Sequence, residues 1–262
     1  MAGCAGLEIV PAGRAFRRPG GREGHWLLDT PHRDPDDLVT CPFDFVKVSG
    51  RQAEAALDEL KRHRPDMTPI LFGSPHEAGL LVERMAMWPA SADEWLATAQ
   101  TFDVDRWLAE RQAELDACCE KSGQTIPRRG PWPETVRPFT HLLVPDEILE
   151  PGPKPIVIIG LLPTADATET AAYLRFGGWN ECPKPPVHIA LARRWRERYG
   201  AVQVSNTHDA VEFRVAQPLT DREDALALAL VQYHYCSDSI PETLEVAAAE
   251  VIGATVWHFW WD

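Results

Sequence analysis

The chain closes on Trp257-His258-Phe259-Trp260-Trp261-Asp262. Three tryptophans and a phenylalanine in six residues carry too much apolar surface to fray in water, so this end has to be docked in a core. Alternation puts Trp257, Phe259 and Trp261 on one side of a strand over 255–261 and Trp260 on the other. Such a strand is core on both faces of a sheet, or it offers a partly exposed aromatic patch to a partner.

The segment leading to it has a clear pattern. Residues 156–162 (IVIIGLL) form a buried-type strand stopped by Pro163. Residues 173–176 read as a short extended piece. A helix runs from Val187 to Tyr199, striped by Val187, Leu191, Trp195 and Tyr199 and ended by Gly200. Strands over 202–205 and 211–215 turn at His208-Asp209. Thr220-Asp221-Arg222-Glu223 is a capping box opening a helix to about Cys236, and Ser239-Ile240-Pro241-Glu242 is a second one, opening a helix that stops at Gly253. The order approaches a ferredoxin-like split βαβ with one extra helix.

Upstream, residues 1–40 are rich in Gly, Arg, Pro and Asp and read as a loose arm, with a short strand at Trp26-Leu27-Leu28. A strand over 43–48, a helix over 50–63 with Ala53, Ala56, Leu57 and Leu60 on one face, and a strand over 68–73 suggest a right-handed parallel crossover. Helices follow over 76–87, 93–100 and 104–121. The last is capped by Asp103 and Gly123, with Trp107, Arg111, Leu115 and Cys118 sharing a face. Eight prolines between 122 and 155 exclude continuous helix there. The expected class is α+β, a mixed sheet with helices packed on it. The expected division is 1–121, a proline-rich linker or wrapping arm over 122–155, and a C-terminal domain over 156–262.

Net charge is 26 − 39 = −13, which disfavours nucleic acid and anionic membranes and suits a partner with a basic surface. No stretch approaches the ~20 apolar residues a bilayer span needs, and the first residues lack a signal peptide's apolar run. The reading is therefore cytoplasmic, with Cys4, Cys41, Cys118, Cys119, Cys182 and Cys236 as free thiols. Oligomeric state is left open.

Cys182 follows a Gly-Gly loop and precedes a helix, where a thiol can lose its proton readily. His188, six residues on, could serve as its base if the loop folds back. The competing reading is a small buried residue beside a histidine satisfied by a backbone carbonyl. Gly177, Gly178, Trp179 and Asn180 could form a ligand loop, with glycines for close approach, an indole to stack and an amide to read polar groups, or a sharp turn packing Trp179 into the core. Tyr235, Cys236 and Asp238 complete the ligand-binding candidates. Cys236 closes a helix, whose dipole disfavours a thiolate. Cys182, His188, His234 and Cys236 lack zinc-ligand spacing, and no metal or cofactor is expected. Arg193, Arg194, Arg196 and Arg198 read as a solvated face bridged to acids.

The words AYLRFGGWNECP, then His188, RRW, RYGA, YHYCSD and the closing WHFWWD resemble the family catalogued as domain of unknown function 4253, over about 156–262. The resemblance implies a bacterial, cytosolic protein with an α/β domain and carries no established activity. Two functions follow from the residues. One is a non-catalytic protein-binding module, to which the resemblance adds an immunity type as its narrower form. The alternative is a cysteine-dependent enzyme or small-ligand binder using the 177–182 loop and His188.

Overall fold

A computed structural model describes residues 7–18, 38–146, 152–239 and 241–262. The expectations for Cys4, the 26–28 strand and Ile240 lie outside these residues. The chain divides into two compact units, each assembled from separated stretches: Met1–Pro89, Leu143–Asp166 and Ser205–His208 in the first, and Ala90–Leu142, Ala167–Val204 and Asp209–Asp262 in the second.

In the first unit, β1 (Ala15–Arg17) and β2 (Leu38–Thr40) form an antiparallel ribbon. The main sheet there holds β3 (Asp44–Val48), β4 (Thr68–Gly73) and β5 (Val157–Leu162). β5 runs antiparallel to both β3 and β4, so those two are parallel to each other with β5 between them. The crossover is parallel as the spacing suggested, but its strands are not neighbours. Every residue of β4 and β5 is buried, matching their unbroken apolar runs. Gly160 of β5 is small for a reason: a Cβ there would meet the Phe72 ring at 2.1 Å.

The crossover helix α1 (Gly50–His63) buries Ala53, Ala56, Leu57 and Leu60 and ends on Lys61, Arg62 and His63, favourable at the negative helix end. Ser74 caps α2 (Pro75–Met85) in a reciprocal box with Glu77. Glu77 also receives buried Lys154 Nζ at 2.9 and 2.7 Å, so one carboxylate secures both a helix start and the proline-rich segment.

In the second unit, α3 (Ala92–Gln100) and α4 (Val104–Ser122) precede α5 (Thr170–Leu174), α6 (Pro185–Tyr199), α7 (Arg222–Tyr235) and α8 (Leu244–Val251). β6 (Ala201–Asn206), β7 (Ala210–Val215) and β8 (Val256–Trp260) supply its strands. β7 and β8 pair antiparallel, with Glu212 opposite His258 and Ala210 opposite Trp260. The last residues of β6 fall in the first unit, where Ser205 lies opposite Leu71 in parallel. The strand order is β3-β5-β4-β6-β7-β8. This is a mixed α+β fold with eight helices among the described residues. The order does not confirm the ferredoxin-like detail, because β4, from the N-terminal third, lies between β5 and β6.

Four local expectations need correction. Residues 173–176 are not extended: Thr170–Leu174 is a helical turn closed by Arg175 at φ 49°, since Ala171 and Ala172 favour helix. The second capping box is not one. Ser237–Ser239 is a 3₁₀ turn, and α8 starts later, capped by Thr243 Oγ1 accepting from Val246 N–H. α7 is capped by Asp221 rather than Thr220. On α4 the half-buried stripe slips from Cys118, which is exposed, to Cys119.

Beyond Ser122, which ends α4, the described part of the proline-rich segment has no helix or named strand and is held by individual bonds. In the second unit Arg128 O accepts from Leu244 N–H, Arg129 Nε and Gly130 N–H both donate to Glu245, and Phe139 O accepts from Thr255 and Val256 N–H. Among the described residues no helix is long and apolar enough to cross a membrane.

Candidate functional site

The loop between α5 and α6 is built by backbone conformations most side chains avoid. Gly177 sits at φ 103°, Gly178 at 86° and Asn180 at 44°. At Gly177 a Cβ would fall 1.8 Å from Pro183 O and 2.7 Å from His188 Nε2, so only glycine fits. Gly178 N–H donates to the carbonyls of Cys182 and Pro183, and Cys182 N–H donates to Trp179 O at 2.8 Å. The loop thus folds back on itself. α6 then begins at Pro185, two residues before the expected start, because prolines at its first positions lose no helical hydrogen bond. The result sets Cys182 Sγ 3.7 Å from His188 Nε2, with both residues buried.

The protons around His188 are assigned by its partners. Pro183 O lies 2.9 Å from Nε2 and can only accept, so Nε2 carries the hydrogen. Nδ1 is then the acceptor, taking the Tyr235 hydroxyl at 2.7 Å. Burial pushes the His188 pKa down to about 3, partly opposed by the Pro183 carbonyl. Burial also pushes the Tyr235 phenol well above its ordinary range, with Cys182 and Cys236 adding to the shift. The nitrogen nearest the Cys182 sulfur is therefore already protonated and the other is occupied. In this geometry the imidazole is a hydrogen-bonded neutral ring and not a base poised on the thiol.

Aromatic rings enclose the pair. Phe176, Tyr235 and Trp261 lie edge-on to His188, with centroids 5.1, 5.2 and 5.6 Å away. One layer on, Trp195 of α6 stacks on Phe259 at 5.5 Å and meets Phe213, Tyr235 and Trp257 edge-on. Each such pair contributes roughly 0.5–1.5 kcal/mol beyond area burial. The packing has to outweigh a cost, because the indole N–H groups of Trp257 and Trp261 are buried without a hydrogen-bond partner.

The remaining candidates divide between this centre and the end of β8. Trp179 lies edge-on to Phe176 at 5.0 Å, and Asn180 is exposed with Nδ2 donating to Asp262 O. Cys236 Sγ lies 3.0 Å from Trp260 O and 3.2 Å from Ser239 Oγ, and burial pushes its thiol up to about 11. Asp238 is exposed and accepts from Asp262 N–H at 3.4 Å. His234 Nε2 engages Gln112 Oε1 at 3.0 Å. Among the described residues no group of three or more His, Cys, Asp or Glu side chains is placed to hold a metal ion. On α6, Arg194 pairs with Asp105 and Arg198 with Asp224.

The sequence marks Tyr235 as a candidate but not its role. It lies 47 residues from the imidazole it bonds, on a different helix, so no local signal pairs them. The spacing to Glu242 makes Ser239 a helix cap, whereas its hydroxyl clamps Trp260 through both backbone groups. No curated protein and no solved structure matches the chain. Residues 158–262, which supply His188, Tyr235, the glycine loop and the closing strand, match the model of the family described as domain of unknown function (DUF4253).

Proposed function

We propose that this chain is a non-catalytic protein-binding module whose partner presents a basic surface. One observation carries the reading: His188, the candidate base beside Cys182, has both ring nitrogens committed, to Tyr235 and to Pro183 O. Residues that could do chemistry are thus used to order an aromatic core. Cys236 points the same way, since a thiol with its pKa near 11 stays protonated at neutral pH. The charge of −13 then supplies the attraction that selects a cationic partner. An immunity-type role is the narrower form of this reading, and a reducing cytoplasm suits its free thiols.

The test is affinity capture from native lysate at low and high salt. A specific protein of basic character, retained at low ionic strength and shed as salt rises, is expected; nothing above background removes the reading's main support. The alternative is a cysteine-dependent site at Cys182, favoured by the 3.7 Å sulfur–nitrogen distance. It predicts that iodoacetamide at neutral pH labels Cys182 first. The binding reading predicts that exposed Cys118 reacts first and Cys182 only on unfolding.

A further inference from the structure

Trp260 is the exception in the closing strand. Trp257, Phe259 and Trp261 are at most 4% exposed, whereas Trp260 keeps 41% of its surface in water. Its polar groups are nevertheless all engaged. The backbone N–H donates to Ser239 Oγ at 2.6 Å, and the carbonyl accepts from Ser239 Oγ at 3.1 Å and from Cys236 Sγ at 3.0 Å. The indole N–H donates to Asp209 Oδ2 at 3.0 Å. A large ring is thereby held in one orientation with part of its surface facing solvent. An aromatic that has already lost its rotamer freedom gives up little more on binding, as suits an interface anchor.

The segments that hold the ring also carry acids. Asp209 orients the indole. Asp238 lies in the turn that clamps Trp260 and accepts from Asp262 N–H, and Asp262 is held in turn by Asn180. The π face of an indole attracts cations, and carboxylates beside it reinforce that preference. The edge of β8 leaves little room for an added strand. Phe139 O takes the N–H of Val256 at one end, and Ser239 and Cys236 take both backbone groups of Trp260 at the other. A partner therefore meets this edge through side chains rather than by extending the sheet.

Resting on the protein-binding reading, we infer that the exposed face of Trp260, flanked by Asp209, Asp238 and Asp262, is the docking point for an arginine or lysine side chain of a basic protein partner.

The experiment uses the full chain labelled with 5-fluorotryptophan. Trp260→Phe identifies one fluorine resonance among the ten tryptophans. The probes are an arginine-rich nonapeptide and a glutamate-rich peptide of equal length. The Trp260 resonance should move saturably with the arginine peptide and stay fixed with the acidic one. Trp260→Leu should weaken arginine-peptide affinity roughly 3- to 30-fold, the range of a partly desolvated cation–π contact. Asp238→Asn, which leaves the ring in place, should weaken it as well. A fixed Trp260 resonance while calorimetry registers arginine-peptide binding overturns the docking point and leaves the protein-binding reading standing. No binding of the arginine peptide at all also overturns it, and the salt-dependent lysate capture then decides the broader reading separately.

Discussion

Tyr235→Phe removes one oxygen from the middle of the aromatic core and keeps the ring that packs on Trp195, Phe259 and Trp261. Shape and apolar burial are nearly unchanged, so the loss is confined to the hydrogen bond to His188 Nδ1 at 2.7 Å. His188 is 4% exposed, so water does not replace the lost donor. A buried acceptor left without a partner costs about 1–3 kcal/mol. For a chain of this length 1 kcal/mol moves the melting point by about 2–4 °C, so the variant should melt about 2–12 °C lower. The assay is thermal unfolding at pH 7.5 followed by near-ultraviolet circular dichroism, which reports the packed tryptophans. Tyr233→Phe, on the half-buried side of the same helix, is the control and should shift by less than about 2 °C. Equal, negligible shifts in both variants would refute the assignment of His188 as a neutral ring that accepts from Tyr235.

Other outcomes follow from the same geometry. The folded chain keeps His188 neutral down to about pH 3, whereas the unfolded chain takes up that proton near 6.5. The contribution of His188 is therefore complete above pH 6.5 and falls as pH drops, by up to about 1.4 kcal/mol per pH unit, until the folded group titrates. Urea midpoints of wild type should fall more steeply between pH 6.5 and 5 than those of His188→Gln; parallel slopes would contradict this. Gly177→Ala places a methyl on Pro183 O at a φ of 103° and should cost more than roughly 4 kcal/mol, measured as loss of the cooperative transition. Lys154→Met strands Glu77 beneath the proline-rich segment and should cost about 3–5 kcal/mol by urea unfolding, with part regained on adding Glu77→Gln.

Elements whose signals are local were readable from the chain. α1 follows from the stripe Ala53, Ala56, Leu57 and Leu60, and β5 from an apolar run broken only by Gly160 and stopped by Pro163. α6 follows from Val187, Leu191, Trp195 and Tyr199, with Gly200 to stop it. Elements of little more than one helical turn were not readable. The five residues of α5 give no stripe, and Tyr173-Leu174-Arg175-Phe176 has the residue types of a strand. Ser239 and Glu242 have capping-box spacing, yet the Ser239 hydroxyl goes to a strand 21 residues away. The place of β4 between β5 and β6 rests on long-range pairing that no window of sequence contains. At the candidate centre, Gly177, Cys182 and His188 were readable together because they are close in the chain. The hydroxyl that assigns the proton on His188 arrives from α7, and with it the difference between a base and a packing element.

The central claim concerns one proton, and a long-range ¹H–¹⁵N spectrum of the imidazoles reads it directly. His188 should appear as the neutral ring protonated on Nε2, with an unprotonated Nδ1, unchanged from pH 8 to about pH 4 as a group with its pKa near 3 requires. A His188 signal protonated on Nδ1, or one that titrates near pH 6.5, would contradict it and return Cys182 and His188 to the status of a reactive pair.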